Sequence, residues 1–350
     1  MIKSVFKIVR FVVLLLSVSL LFNGCHSRQK KKVLKVAHIL DPSHSVHKAM
    51  LFMAERLREK SGGKMELQIY PSGQLGSERG CLELLQIGSL AITKVSAAVM
   101  EGFIEDYKVL GLPYIFRDKE HAFQVLDGET GKQLLLSGED IWLRGLCFYD
   151  AGSRSFYTKD KPIHSPDDLK GLKIRVMKSI TATNMVKSLG GSPTPISWGE
   201  LYTALQSGVV DGAENNPPSF YLSHHYEVCR YYSIDEHTTI PDVLLISTII
   251  WNKLSEEEKQ WLQEAADESA LVQREYWAES EREALEGVQE AGVTVIYPDK
   301  REFVEKVEPL YEELRSNKRL NTLVEKIRNQ ESEIENLKSE QTHEEIQKSN

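Results

Sequence analysis

The sequence predicts an α/β fold in two lobes, and three observations lead there. Strand and helix signals alternate from residue 33 onward, the pattern of largely parallel sheets flanked by helices. About 300 residues follow a leader-like start, more than one hydrophobic core ordinarily organises. Finally, "SEEE" (255–258) is a capping box opening a helical stretch of more than thirty residues that runs to about Gly292. At about 1.5 Å per residue such a helix spans roughly 50 Å, enough to cross two lobes.

Lys3, Lys7 and Arg10 precede a twelve-residue apolar run, "FVVLLLSVSLLF" (11–22). That run is too short to span a bilayer and suits a secretory leader. Gly24-Cys25 resembles a bacterial lipobox, so residues 1–25 are expected to be a lipoprotein-type signal with Cys25 the lipidated residue, although Phe22 stands where an aliphatic is usual. "HSRQKKK" (26–32) is then a tether. "VLKVAHI" (33–39) is strand-like, and "VHKAMLFMAERLREKSGG" (46–63) carries apolar residues at helical spacing, ending at Gly62. In "MELQIY" (65–70), Met65, Leu67 and Ile69 share a face. Ser165-Pro166 caps a helical turn that feeds the alternating strand "LKIRVM" (172–177). "SWGE" (197–200) reads as a capping box opening a helix that Gly208 ends. In "GVVDGAENNPPSF" (208–220) the valines read as a short buried strand, followed by Glu214, Asn215 and Asn216 presented at its mouth. The end of the chain, 326–350, is charged and free of aromatics. Leu320, Leu323, Ile327, Ile334 and Leu337 fall at a/d-like spacing, which suits either a short coiled coil or a solvated terminal helix; the second is expected.

Without residues 1–25 the basic count falls from 43 to 40 against 51 acids, a net charge of about −11. A basic nucleic-acid footprint is absent, so any anion must be met by local positive charge. Cys81, Cys147 and Cys229 cannot all pair, so the chain is not a disulfide scaffold. The sequence carries no nucleophile elbow, dinucleotide fingerprint, P-loop or zinc-protease motif, and its histidines supply no full metal-ligand set. No cofactor is expected. Glu214 with Asp242 or Asp211 can be imagined as the carboxylate pair of an exported enzyme, without a recognisable nucleophile–base pair beside it.

Arg175 lies between Ile174 and Val176 and so points away from the face those two bury; Arg154 sits beside aromatics in "AGSRSFY". A guanidinium in such a place needs a partner. Either a fixed carboxylate of the chain or a ligand carboxylate held by the planar fork meets that need. "LQIGSLAITKVS" (85–96) also lines up with "LQSGVVDGAENN" (205–216), placing Lys94 against Glu214 and Ser96 against Asn216. Two related lobes would then each aim the carboxyl end of a strand at a shared cleft.

"YPSGQLGSE" (70–78), "GLPYIF" (111–116), "GLKIRVM" (171–177), "GGSPTPISWGELYTALQSGVVDGAENN" (190–216) and "LSEEEKQWL" (254–262) resemble the DctP-type solute-binding proteins of TRAP (tripartite ATP-independent periplasmic) transporters, over about residues 33–325. The resemblance implies a two-lobed periplasmic binding protein fold with crossing hinge strands and a long helix spanning both lobes. Lobe I would hold 33–151 plus 241–280, lobe II 152–240 plus 281–325, and 326–350 a charged helix or tail. It implies that Arg175 grips a ligand carboxylate, that Arg154 and Asn215 support it, and that Trp198 lines the pocket. Sialic-acid-binding members carry a glutamate at the position of Ser96, and 213–237 looks most like hexuronate-binding members. The resemblance thus implies a periplasmic receptor that binds D-glucuronate or D-galacturonate and passes it to small and large membrane subunits, and the lipobox-like Gly24-Cys25 would anchor it through Cys25. Lys94, Ser96, Glu214, Asn216 and His38 or His44 are candidates to read sugar hydroxyls. A C4-dicarboxylate, a diketo-gulonate or another aldonate or keto acid is the alternative, with Lys94 or Arg154 as the second cation a dicarboxylate needs.

Overall fold

The structure is a computed structural model and describes residues 31–330; the leader, Cys25 and residues 331–350 lie outside the described residues. One sheet holds β1 (Lys32–Ala37), β2 (Met65–Tyr70), β3 (Ile92–Ser96), β4 (Leu143–Tyr149) and β10 (Asp242–Ser247), in the order β2-β1-β3-β10-β4. The other holds β5 (Ser153–Thr158), β6 (Lys173–Val176), β7 (Ser192–Pro195), β8 (Gly212–Asn215), β9 (Tyr231–Thr239) and β11 (Thr294–Ile296), in the order β11-β9-β5-β8-β6-β7. The chain crosses between the sheets from β4 to β5 and again from β9 to β10.

The sheets are mixed, whereas the sequence pattern suggested largely parallel ones. The cause is the crossings. The antiparallel pairings β10/β3, β10/β4, β5/β8 and β5/β9 all involve a strand that has just arrived from the other lobe. The lobe's own strands pair in parallel, as β1/β3 and β6/β8 do.

Each sheet is covered on both faces. Along β10, Val243 and Leu245 enter one core and Leu244 and Ile246 the other, so the strand reads as an unbroken apolar run. In the second lobe Phe156 packs with Ile174 and Val176 on one face, while its neighbour Tyr157 packs with Ala213 and Tyr232 on the other. Arg175, between Ile174 and Val176, therefore leaves the first of these cores.

The long helix is Glu256–Glu290. It packs on helix Ser45–Lys60 in the first lobe and on helix Pro217–Leu222 in the second. Its capping box is complete: the Ser255 hydroxyl accepts the Glu258 N–H at 3.2 Å, and the Glu258 carboxylate accepts the Ser255 N–H at 2.8 Å. Ser255→Ala should cost about 1 kcal/mol, which lowers the thermal midpoint by roughly 2–3 °C for a domain this size. An unchanged midpoint would mean that packing alone sets where the helix begins. At the β4–β5 crossing Gln273 of this helix clamps the hinge, with its Oε1 accepting the Asp150 N–H and its Nε2 donating to the Asp150 carbonyl, both at 2.8 Å. Gly152 follows at φ +55, where a Cβ would lie 2.9 Å from Trp277 Nε1. Only glycine turns the chain there.

Three local expectations are corrected. Ser197 makes no side-chain capping bond, so "SWGE" is a helix start without the box. The strand in 208–220 is Gly212–Asn215, not the valines; Val209 is 52 % exposed. The apolar positions of 318–328 do not form a coiled-coil seam or a solvated helix. Leu320, Leu323, Val324 and Ile327 bury themselves with Tyr107, Leu126 and Leu134 in a first-lobe core, which is also where residues 318–325 sit rather than on the second lobe.

Candidate functional site

Between the two sheets lies a cavity of about 110 Å³. A single buried water needs only roughly 10–15 Å³, so this is room for a small metabolite. The first lobe supplies His44, Glu78, Lys94, Ser96 and Asp242; the second supplies Arg154, Arg175, Trp198, Asn215 and Asn216; the long helix supplies Trp277.

Arg175 is 2 % exposed. Its Nε donates to the Ile196 carbonyl at 2.8 Å, and its Nη1 is buried with no hydrogen-bond partner. Burial pulls its pKa below the ordinary arginine value, and Arg154 adds to that. Next to it, helix Trp198–Gln206 opens toward the cleft with Ser197, Trp198 and Gly199 lining the wall. A helix N-terminus carries unpaired N–H groups and partial positive charge.

The other two buried cations of the cleft are already matched. Arg154 Nε donates to Glu214 Oε2 at 2.5 Å, its Nη1 to Asn215 Oδ1 at 2.7 Å and its Nη2 to the Glu214 carbonyl at 2.8 Å. Lys94 Nζ meets Asp242 Oδ2 at 2.8 Å and Glu78 Oε1 at 3.6 Å. Burial alone would lower the Lys94 pKa, but the two carboxylates outweigh it and hold it above the ordinary value. Glu78 also accepts the Ser96 N–H at 3.0 Å; burial raises its pKa against the pull of Lys94.

The amides follow from this pairing. Arg154 can only donate, so the atom of Asn215 facing it is the oxygen, which also accepts the Asn216 N–H at 2.9 Å. The Asn216 oxygen caps helix Pro217–Leu222 by accepting the Ser219 N–H at 2.8 Å. Both side chains are thereby left with their NH₂ groups for the cleft. Ser96 spends its oxygen more loosely, on the Ala98 N–H at 3.4 Å. Trp198 packs partly buried between a core of each lobe, 5.2 Å from the His225 ring. The cleft therefore presents one unmatched buried cation, several neutral donors and an aromatic face.

Two residues named from the sequence are not on the cleft wall. His38 is buried behind it, with its Nε2 shared with His47 Nδ1 at 2.9 Å and its Nδ1 accepting the Leu40 N–H, so both ring nitrogens are spent inside the first lobe. Glu214 faces Arg154 within its own sheet and is 1 % exposed. Glu214 and Asp242, the carboxylates an enzyme reading would pair, are each committed to a different cation. The sequence reading missed Glu78 and Trp277 and gave Asp242 no binding role. A signal for the two acids was present: Lys94 sits in the buried strand "ITKVS", and a buried ammonium demands carboxylates.

The family model for bacterial extracellular solute-binding protein, family 7 (DctP), matches residues 36–318. The chain belongs to the DctP family. Among solved structures, this DctP-family chain is similar to a TRAP periplasmic solute-binding protein from Bradyrhizobium sp. in complex with α/β-D-galacturonate, at 39 % identity and TM-score 0.84 over 85 % of this chain and all of that one. It is also similar to one from Anaerococcus prevotii with bound α/β-D-glucuronate, at 40 % identity and TM-score 0.83 over 85 % of this chain and 97 % of that one. Among curated proteins, YiiZ of Salmonella typhimurium is 39 % identical over 297 residues, which are 84 % of this chain and 90 % of that protein. As a DctP-family member the chain is a substrate-binding receptor of the TRAP type with a two-lobed α/β fold, and the family is periplasmic.

Proposed function

We propose that this receptor captures a hexuronate, D-glucuronate or D-galacturonate, between its lobes and delivers it to TRAP membrane subunits, and that export is followed by lipid anchoring at Cys25. The observation that carries the ligand reading is the unmatched Arg175 Nη1, buried in a cleft whose other buried cations are already paired. In this reading the ligand carboxylate lies between Arg175 and the start of helix Trp198–Gln206, with the Asn215 NH₂ beside it. The Asn216 NH₂, Ser96 and the Glu78 and Asp242 carboxylates face the ring hydroxyls, and Trp198 covers an apolar sugar face. Glu214 acts at one remove, by fixing Arg154. The uronates bound by the two solved relatives agree with this assignment.

The same pairing disfavours the dicarboxylate alternative. A second carboxylate would have to take Lys94 from Asp242 and Glu78, or Arg154 from Glu214, and would leave a buried carboxylate without its cation. Arg79 and Lys178, the remaining cations at the cleft, are exposed and screened by water.

Thermal unfolding of protein lacking residues 1–25, refolded to strip bound ligand, tests this against glucuronate, galacturonate, glucose and succinate. Ligand at a thousandfold its Kd stabilises by about 4 kcal/mol. Stabilisation by the uronates and none by glucose is expected. A response to succinate alone would overturn the uronate assignment and leave the receptor role standing.

A further inference from the structure

His44 caps helix Ser45–Lys60 through its ring: Nδ1 accepts the Val46 N–H at 3.2 Å. A ring nitrogen that accepts carries no proton, so in the neutral imidazole the proton is on Nε2. That Nε2 is buried and without a partner, in a side chain 3 % exposed that lines the cleft wall with its ring 5.8 Å from that of Trp277. Burial first, and the Lys94 ammonium second, hold the His44 pKa down to about 3, with His38 and Lys48 acting in the same direction and Asp41 against it. The ring is therefore neutral wherever the protein is folded at ordinary pH, and its one remaining hydrogen-bonding group is a single uncharged donor.

We infer that His44 is a specificity-determining ligand contact: its Nε2–H donates to a hydroxyl oxygen of the bound sugar acid. The inference rests on the uronate reading of the cleft. A buried donor is costly to leave unmade, and a bound sugar ring carries acceptor oxygens to meet it. Because the donor is neutral, it selects for an oxygen on a sugar ring without adding attraction for a second carboxylate. It also complements the acids on the same wall: the Glu78 and Asp242 carboxylates can accept hydrogen bonds from hydroxyls, and His44 can donate one. The helix cap serves as a tautomer lock, since rotating or re-protonating the ring would forfeit the Val46 bond.

The decisive variant is His44→Asn. Asparagine is among the best helix N-caps, so its oxygen can keep the Val46 bond while the donor no longer reaches the cleft. Calorimetric titration with D-glucuronate and D-galacturonate should show affinity lower by about tenfold, the scale of one buried hydrogen bond, and the unliganded variant should unfold within about 2 °C of the parent, given the retained cap. A panel of monodeoxy uronates supplies the readout that a structural role would not move. One deoxy analogue should bind parent and variant equally, because it lacks the oxygen His44 contacts, while the others keep the tenfold gap. Binding of uronate by the variant within twofold of the parent, or the same loss for every analogue, would overturn the inference and leave the uronate reading intact. Failure of the parent itself to bind either uronate would overturn both.

Discussion

Arg175→Ala is expected to abolish useful uronate affinity while leaving the unliganded protein no less stable. The two halves of that expectation have one cause. In the cleft the guanidinium is buried with Nη1 unsatisfied, so without a ligand it is a desolvated charge that the fold carries at a cost. The ligand carboxylate removes that cost. Truncating one member of a buried, hydrogen-bonded charge pair typically costs 2–5 kcal/mol, here about thirtyfold to several thousandfold in Kd. Arg175→Lys should recover only part of it, because an ammonium cannot make the planar two-bond contact or keep the Ile196 bond in the same geometry. Calorimetry gives the affinities and urea unfolding the stability. A Kd within threefold of the parent would remove Arg175 from the site. A variant that loses affinity and also unfolds readily would mean that the arginine holds the lobe together instead.

Arg175 was legible in the sequence because strand alternation fixes directions: a charge between two apolar residues must leave the face they bury. The long helix was legible for a similar reason, its cap and length both being local. What could not be read depended on partners far away in the chain. Lys94 looked available for a ligand, yet Asp242, 148 residues on, holds it. Glu214 looked like a residue offered at a strand's mouth because the valines before it appeared to be the strand. The pairing lies a few residues later because Gly212 lets the backbones of β8 and β5 close; a Cβ there would sit 2.4 Å from the Tyr157 carbonyl oxygen. Local pattern therefore found many of the groups that face the cleft, missed Glu78 and Trp277, and did not show which of the others the fold had already used.

The costliest single change outside the ligand contacts should be Glu214→Ala. Its carboxylate holds Arg154 Nε at 2.5 Å and lies 3.6 Å from His237 Nε2, all within a region almost closed to water. Burial by itself would raise the Glu214 pKa, but Arg154 and His237 outweigh it and lower it from 4.5 to about 2. Burial would likewise lower His237, but Asp235 and Glu214 raise it from 6.5 to about 9. Alanine at 214 leaves a buried guanidinium without its counter-charge, a loss of roughly 3–5 kcal/mol. The pH dependence follows in sign from the same two shifts. A carboxylate with a lowered folded pKa contributes stability that is full above about 4.5 and is lost as pH falls through about 2. A histidine with a raised one contributes stability that is full below about 6.5 and is lost as pH rises through about 9. The group should therefore stabilise the second lobe most between about pH 4.5 and 6.5. Urea unfolding from pH 2 to 10 should show that plateau in the parent, and Glu214→Gln should flatten its acid flank by roughly 3 kcal/mol, the worth of about two and a half pKa units. An acid flank unchanged in Glu214→Gln would mean that other carboxylates set the acid limit and that Arg154 finds its counter-charge elsewhere.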